Sequence, residues 1–340
     1  MADPRTDWKE NVIPNEDELL LKLAETLRDL QRVHNKKRGP GRALHRKSHA
    51  GVLAQVKVRE NLPEPYRAGM FSEPKEYSGY VRYSNGSGEL QHDKKGDVRG
   101  IALKVIGVPG KKIIPGMEDK STQDFLAIKS AFTPFRTPSE FVGVVEAAAK
   151  PWKLPALALK LGPGRLVGIL KQLSAGLSER VERLAALTFY SALPIRYGAY
   201  AAHYRMVPKS PATGACRGEG ENRLREDLAA RLREDSLTYE FQIQLYVDPV
   251  KTPIEDASVE WKEADSPYVT VADVVLPKQD LTSSRGKKID DFVEALSFDP
   301  WHALVEHRPL GQMMRARNHA YRLSTQERGA APEPDGSEAW

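Results

Sequence analysis

The residues best spaced for chemistry lie near the end of the chain, in Leu310 to Arg328, LGQMMRARNHAYRLSTQER. Nothing after Gly311 breaks a helix there. At roughly 100° per residue, Met313, Arg317, Tyr321, Ser324 and Arg328 fall within about a quarter of the circumference. A helix that only packs on a core carries an apolar stripe on its buried side, whereas this face is mixed. An arginine one turn before a tyrosine stabilises the phenolate, the form a tyrosinate metal ligand requires. Taken alone, Arg-x-x-x-Tyr is equally the pattern of surface packing, so the reading needs a partner elsewhere in the chain.

Arg42-x-x-His45 is one candidate partner, with His45 either a catalytic base or a structural hydrogen-bonder. His45 and His49 have the i, i+4 spacing of a zinc pair. The residues between them, Arg46, Lys47 and Ser48, supply no glutamate, and the adjacent cations oppose a dication. Cys216 sits in the polar loop PATGACRGEGEN, which reads as a solvated free thiol rather than a thiolate ligand.

The elements that must position these residues come from a chain of 340 residues, 40% hydrophobic and 29% charged. A single cysteine excludes an internal disulfide framework and multi-cysteine zinc or iron–sulfur sites. The net charge of +5 is scattered apart from HNKKR at 34–38, so no nucleic-acid partner is expected. No run approaches the ~18 uncharged apolar residues of a spanning helix, and MADPRTDWKENV has no signal pattern, so a cytoplasmic protein without a membrane partner is expected.

Leu20, Leu23, Leu27 and Leu30 predict an amphipathic helix behind a capping box at Asn15 and Glu18, ended by KKRGPGR. Alternation predicts strands at 52–58, 77–84, 99–106, 125–129, 195–207, 239–248 and 268–276, with a bulge near Ala50 and Gly51 that re-aims His45. Helices are predicted over 141–150, 166–187 and 221–234. Strands joined by short loops, with helices between and after them, predict an α+β fold built on an antiparallel barrel. Three segments are expected: an N-terminal helix and basic linker at 1–40, one domain at 41–328, and a polar, disordered tail at 329–340.

The array of Arg42-x-x-His45, VRYSNGSG with Arg82 and Ser84, GDVRGIALKV with Asp97 and Arg99, and Arg317-x-x-x-Tyr321 resembles the monofunctional haem catalase superfamily in order and spacing. ALPIRYGAYAAHYRMVP is similar to that family's PxRYGxYxxxYxxxP strand. The resemblance runs from about residue 40 to 328 and implies a catalase-like antiparallel β-barrel core with inserted and C-terminal helices. It implies haem b, with Tyr321 as axial iron ligand beside Arg317. Arg42, Arg82 and Arg328 would stand at the propionates, and Phe132 or Phe141 would stack on the macrocycle. His45 would be the distal acid–base residue, hydrogen-bonded by Ser84. STQDFLAI departs from the family by placing Thr122 or Gln123 where a distal asparagine is expected, and Thr122 takes that catalytic position here. Much of the wrapping segment and the long C-terminal region are absent, so the chain resembles minimal bacterial catalase-related proteins and is compatible with a homodimer. The implied activity is reduction of hydrogen peroxide or an organic hydroperoxide by a small-molecule electron donor, with modest catalase activity. Alternatives are a fatty-acid hydroperoxide isomerase of allene oxide synthase type and a non-catalytic haem carrier or sensor. Leu44 stands where those isomerases carry threonine, which favours peroxide chemistry.

Overall fold

The computed structural model describes residues 3–340. Nine strands form one antiparallel sheet: β1 (Ser48–Val58), β2 (Glu76–Asn85), β3 (Arg99–Ile106), β4 (Thr122–Ile128), β5 (Phe189–Tyr190), β6 (Ile195–Tyr197), β7 (Tyr200–Pro208), β8 (Leu237–Leu245) and β9 (Tyr268–Leu276). Their order is β5-β4-β3-β2-β1-β9-β8-β7-β6, and a further pairing of β5 with β7 closes the sheet into a barrel. β5 and β6 share one edge of β7, so eight strands make the wall and β6 extends the last.

Period-two patterning decides which side chains fill the barrel. Tyr239, Phe241, Ile243 and Leu245 of β8 are all buried, as are Val52, Ala54, Val56 and Val58 of β1. They meet Val81, Leu103, Phe125 and Phe71, whose ring stacks on Phe241 at 5.4 Å between centroids. Each fully buried large apolar side chain contributes about 1.5–3 kcal/mol, so this interior is the main stabilising element. The predicted bulge in β1 occurs one or two residues earlier, between Ser48 and Ala50.

Seven helices surround the barrel. α1 (Glu16–Arg38) packs against α7 (Gln312–Arg328), while α5 (Arg223–Glu234) and α6 (Ser284–Ala295) lie on β1. α2 (Pro138–Ala149), α3 (Leu154–Leu161) and α4 (Pro163–Ser178) pack in succession in the insertion between β4 and β5.

Several expectations are corrected. Asn15 does not form a capping box: its φ is +57° and its side chain caps nothing, while Glu16 takes the Ile13 amide at 3.5 Å. The helix predicted over 166–187 stops at Ser178, because Val181 and Leu184 are buried from non-α backbone against the barrel core, off the helix axis. α3 and α6 were not predicted; α6 begins where the Ser283 hydroxyl accepts the Gly286 amide at 3.0 Å. The tail at 329–340 is not disordered, since the Glu333 carboxylate receives Lys104 Nζ and Thr122 Oγ1, each at 2.8 Å. Trp340 packs its ring edgewise against Tyr80 and Phe292.

Lys104 is fully buried between Asp124 and Glu333. Burial works against the Glu333 carboxylate, but Lys104 and His302 outweigh it and hold its pKa below the ordinary value of 4.5. A depressed carboxylate adds stability above its unfolded pKa and loses it as pH falls. Glu333→Ala is expected to cost about 3 kcal/mol in urea unfolding at neutral pH, the scale of a broken buried pair. The deficit should shrink as the pH drops through the carboxylate range; a pH-independent deficit, or none, would remove the tail from this network.

Candidate active site

A cavity of about 620 Å³ lies between the barrel and the helices, walled by α1, α2, α4 and α7 together with residues of β2, β3 and β4. Arg42, Leu44, His45, Arg82, Ser84, Phe132, Phe141, Arg317, Tyr321 and Arg328 all line it. Ten positions scattered from 42 to 328 are thus brought to one space.

On one wall, His45 precedes β1 with φ +54°, a left-handed conformation that a non-glycine residue rarely adopts. The backbone is held there from both sides: the His45 amide donates to the Gly86 carbonyl at 3.0 Å, and Arg82 Nη2 donates to the His45 carbonyl at 3.0 Å. His45 Nδ1 meets Ser84 Oγ at 3.0 Å, leaving Nε2 with no hydrogen-bond partner among the described residues. Gly100 is the cross-strand partner of Ser84, and a β-carbon there would fall 2.8 Å from His45 Cε1. A glycine is therefore needed opposite Ser84 to leave room for the imidazole. Burial, with Arg82, Arg317 and Arg42 nearby, lowers the His45 pKa to about 3. The imidazole is neutral at ordinary pH, as a proton acceptor must be.

On the α7 side, the five residues predicted to share one face all line the cavity. Arg317 Nη2 donates to Tyr321 Oη at 2.8 Å. Burial opposes the Arg317 charge, and Tyr321 more than restores it, leaving the guanidinium pKa above its ordinary value. The pair is therefore a cation fixed on a phenol oxygen at the edge of the cavity.

Also on the cavity, three arginines gather at the C-terminal end of α6, two of them on the side chain of a residue the sequence reading missed. Arg42 pairs with Glu294, and Arg82 Nε donates to Glu294 Oε2 at 2.7 Å. Arg42 Nη2 also reaches the carbonyls of Glu294 and Leu296 at 3.0 and 2.9 Å, and Arg328 Nη2 reaches that of Leu296 at 2.7 Å. Burial and the neighbouring arginines press Arg42 well below the ordinary guanidinium pKa; burial chiefly pulls Arg328 down to about 10. Burial also works against the Glu294 carboxylate, but Arg82 and Arg42 outweigh it and hold its pKa low. Two guanidinium groups share the one carboxylate and the third, Arg328, is held by carbonyls beside it, so three cations against one anion leave an excess of two positive charges. The signal for Glu294 was available in the Ser283 cap and in Ile289 and Val293, buried four residues apart on α6.

Other candidates lie elsewhere. Thr122 is buried at the far end of β4, its hydroxyl given to Glu333, whereas Leu126, Ala127 and Ile128 are the residues of that strand on the cavity. Gln123 is occupied by the Leu304 amide at 2.9 Å. Among the described residues no asparagine lines the cavity. His49 Nε2 bonds Asn85 Oδ1 at 2.6 Å, and no cluster of three His, Cys, Asp or Glu suited to a metal ion occurs among the described residues. Cys216 is half-buried beside the Gly218 and Arg223 carbonyls, away from the cavity.

The comparisons with known proteins agree with this geometry. No protein-family model matches the sequence. A catalase-related peroxidase from Mycolicibacterium paratuberculosis is 27% identical over 274 residues, covering 75% of this chain and 80% of the relative. Catalase A from Saccharomyces cerevisiae superposes with a TM-score of 0.67 over 96% of this chain and 67% of its own, at 16% identity. A fungal catalase gives 0.64 with the same coverage and identity, and a bacterial catalase 0.60 over 63% of its length. The closed antiparallel barrel with its surrounding helices is the catalase fold.

Proposed function

We propose that the chain is a haem-dependent peroxidase that takes hydrogen peroxide or an organic hydroperoxide, uses a small organic electron donor and has modest catalase activity. The observation that carries this reading is the presence on one largely apolar cavity of a neutral His45 held by Ser84 and of Tyr321 held by Arg317. The cavity is also chemically suited to haem b. Its arginine cluster has two positive charges in excess, and haem carries two propionates that guanidinium forks satisfy.

When bound, haem supplies the redox chemistry that breaks the O–O bond. Tyr321, its phenol oxygen fixed by the Arg317 hydrogen bond, would hold the iron. Arg42, Arg82 and Arg328 would orient the macrocycle through its carboxylates. His45 Nε2 would accept the proton of the hydroperoxide and return it to the leaving oxygen, while Ser84 fixes the ring at Nδ1. Leu44 offers no competing hydrogen bond beside that imidazole.

Reconstitution with haem b is the first test. The parent should show a high-spin ferric spectrum with tyrosinate charge-transfer character; Tyr321→Phe should lose that character and most of the haem. A mutant that keeps full haem and an unchanged spectrum would remove Tyr321 as ligand.

His45→Ala should slow the first reaction with hydrogen peroxide at least ~100-fold in stopped flow at equal haem content, since positioned acid–base groups contribute 10²–10⁴. Because the His45 pKa lies near 3, the parent's rate should be flat from mildly acidic to neutral pH and fall only in strong acid. Equal rates in mutant and parent, or a fall centred near neutral pH, would assign the proton transfer to another group.

The apolar walls, including Leu23, Leu27 and Leu173, favour a second reading as a fatty-acid hydroperoxide isomerase. An oxygen electrode and a lipid-hydroperoxide assay on one haem-loaded preparation separate the two. Measurable oxygen evolution and donor oxidation are expected; no oxygen with rapid loss of lipid hydroperoxide would favour the isomerase.

A further inference from the structure

The insertion that forms α2, α3 and α4 carries a surface that the site chemistry does not use. From Ala147 to Ser178 the sequence contains five cations, Lys150, Lys153, Lys160, Arg165 and Lys171, and no acidic residue. Glu140 neutralises Arg165, and Glu146 is shared by Lys150 and Lys153. Lys160 and Lys171 have no ion-pair partner among the described residues.

The same stretch exposes large apolar side chains. Leu159 is 88% exposed, Trp152 74% and Val167 63%, and Leu154, Leu170 and Leu177 are also exposed. On α4, Ile169, Leu173, Leu166, Leu177 and Leu170 fall within about 100° of one another as a single stripe, of which Leu166 and Ile169 are buried. Val167 stands off that stripe with Lys171 one turn on, so it is an uncovered apolar side chain like Trp152 and Leu159. No helix among the described residues is long and apolar enough to cross a membrane, so a spanning role does not explain it.

We infer that the exposed α3–α4 face docks on the surface of an anionic phospholipid bilayer. Leu159, Trp152 and Val167 enter the interfacial region, where tryptophan is favoured, and Lys160 and Lys171 meet the head groups. Charge decides against a second copy of the chain as the occupant: two such faces would bring unpaired lysines against each other with no acid in either stretch. The sequence argued against a membrane only through the absence of a spanning segment, which leaves surface docking open. Gln172 and Leu177 of the same helix line the cavity, so α4 stands between the docked surface and the cavity. Joined to the peroxidase reading, this brings membrane acyl hydroperoxides beside the helix that walls the site; the docking itself does not depend on that reading.

Co-sedimentation of the full chain with vesicles, without peroxide or donor, tests the docking alone. Vesicles of equal parts phosphatidylglycerol and phosphatidylcholine should bind it, and phosphatidylcholine vesicles should bind it at least tenfold more weakly. The double substitution Leu159→Ser with Val167→Ser, and separately Lys160→Glu with Lys171→Glu, should each lower anionic-vesicle binding at least tenfold, with unchanged circular dichroism. No binding, or binding that neither variant alters, overturns the proposal. Failure to bind vesicles combined with a concentration-dependent dimer that the serine variant abolishes also overturns it, and assigns the face to a second copy.

Discussion

Three guanidinium groups gathered at one carboxylate and the carbonyls beside it, Arg82 buried and Arg42 and Arg328 half-buried, form the constraint to which the rest of the structure is fitted. Arg42 comes from the segment after α1, Arg82 from β2, Arg328 from the last turn of α7 and Glu294 from the last turn of α6. Burying charges of one sign at this density is costly unless acceptors surround them. α6 supplies them twice, through the Glu294 side chain and through the Glu294, Ala295 and Leu296 carbonyls at its C-terminal end. Those are carbonyls that a helix leaves without internal partners, at the end where its dipole favours cations. The chain turns extended at Leu296, with ψ 151°, so that the carbonyls point at the arginines instead of continuing the helix.

The same cluster adds to what burial does at His45. Burial first, then Arg82, Arg317 and Arg42, keeps the imidazole neutral, and Arg82 also ties the His45 carbonyl. The arginines that would hold an anion and the imidazole that would move a proton are therefore coupled by position. A bound dianion would offset the cluster's positive field at His45, and burial, the largest cause of its low pKa, would still favour the neutral ring. The left-handed backbone at His45 and the missing side chain at Gly100 are local features that this arrangement requires.

Much of the candidate site was readable from the chain because periodic elements carry it. One face of a 3.6-residue helix gathers Met313, Arg317, Tyr321, Ser324 and Arg328, and a strand of known register puts Ser84 beside His45. What was missed depends on contacts distant in sequence. Thr122 shares its strand with cavity residues, but sits at the opposite end of β4 and is taken by Glu333, more than two hundred positions later. Glu294 was missed because α6 is short, charged on its outer side and has only Ile289 and Val293 buried. The tail was misread because its composition is polar, whereas the cations it meets are buried elsewhere.

That last point changes how the chain divides. Asp124 receives Lys104 Nζ at 2.7 Å and the Asp299 amide at 2.9 Å, while Lys104 also holds Glu333. Burial raises the Asp299 pKa to about 6, and Arg317 is among the cations that work against the rise. Buried polar contacts therefore run from the C-terminal tail, through β3 and β4, to the Asp299 backbone amide. At the other terminus, Gln31 of α1 donates to the Ser324 carbonyl of α7 at 3.2 Å, and Leu23 and Leu27 wall the cavity. An N-terminal helix, a core domain and a tail are distinct in composition, but each end makes its own polar contacts with the part between them. Removing α1 would take away cavity wall and the partner of the Ser324 carbonyl on α7, and removing the tail would orphan the buried Lys104 side chain, so both ends contribute to the structure around the site.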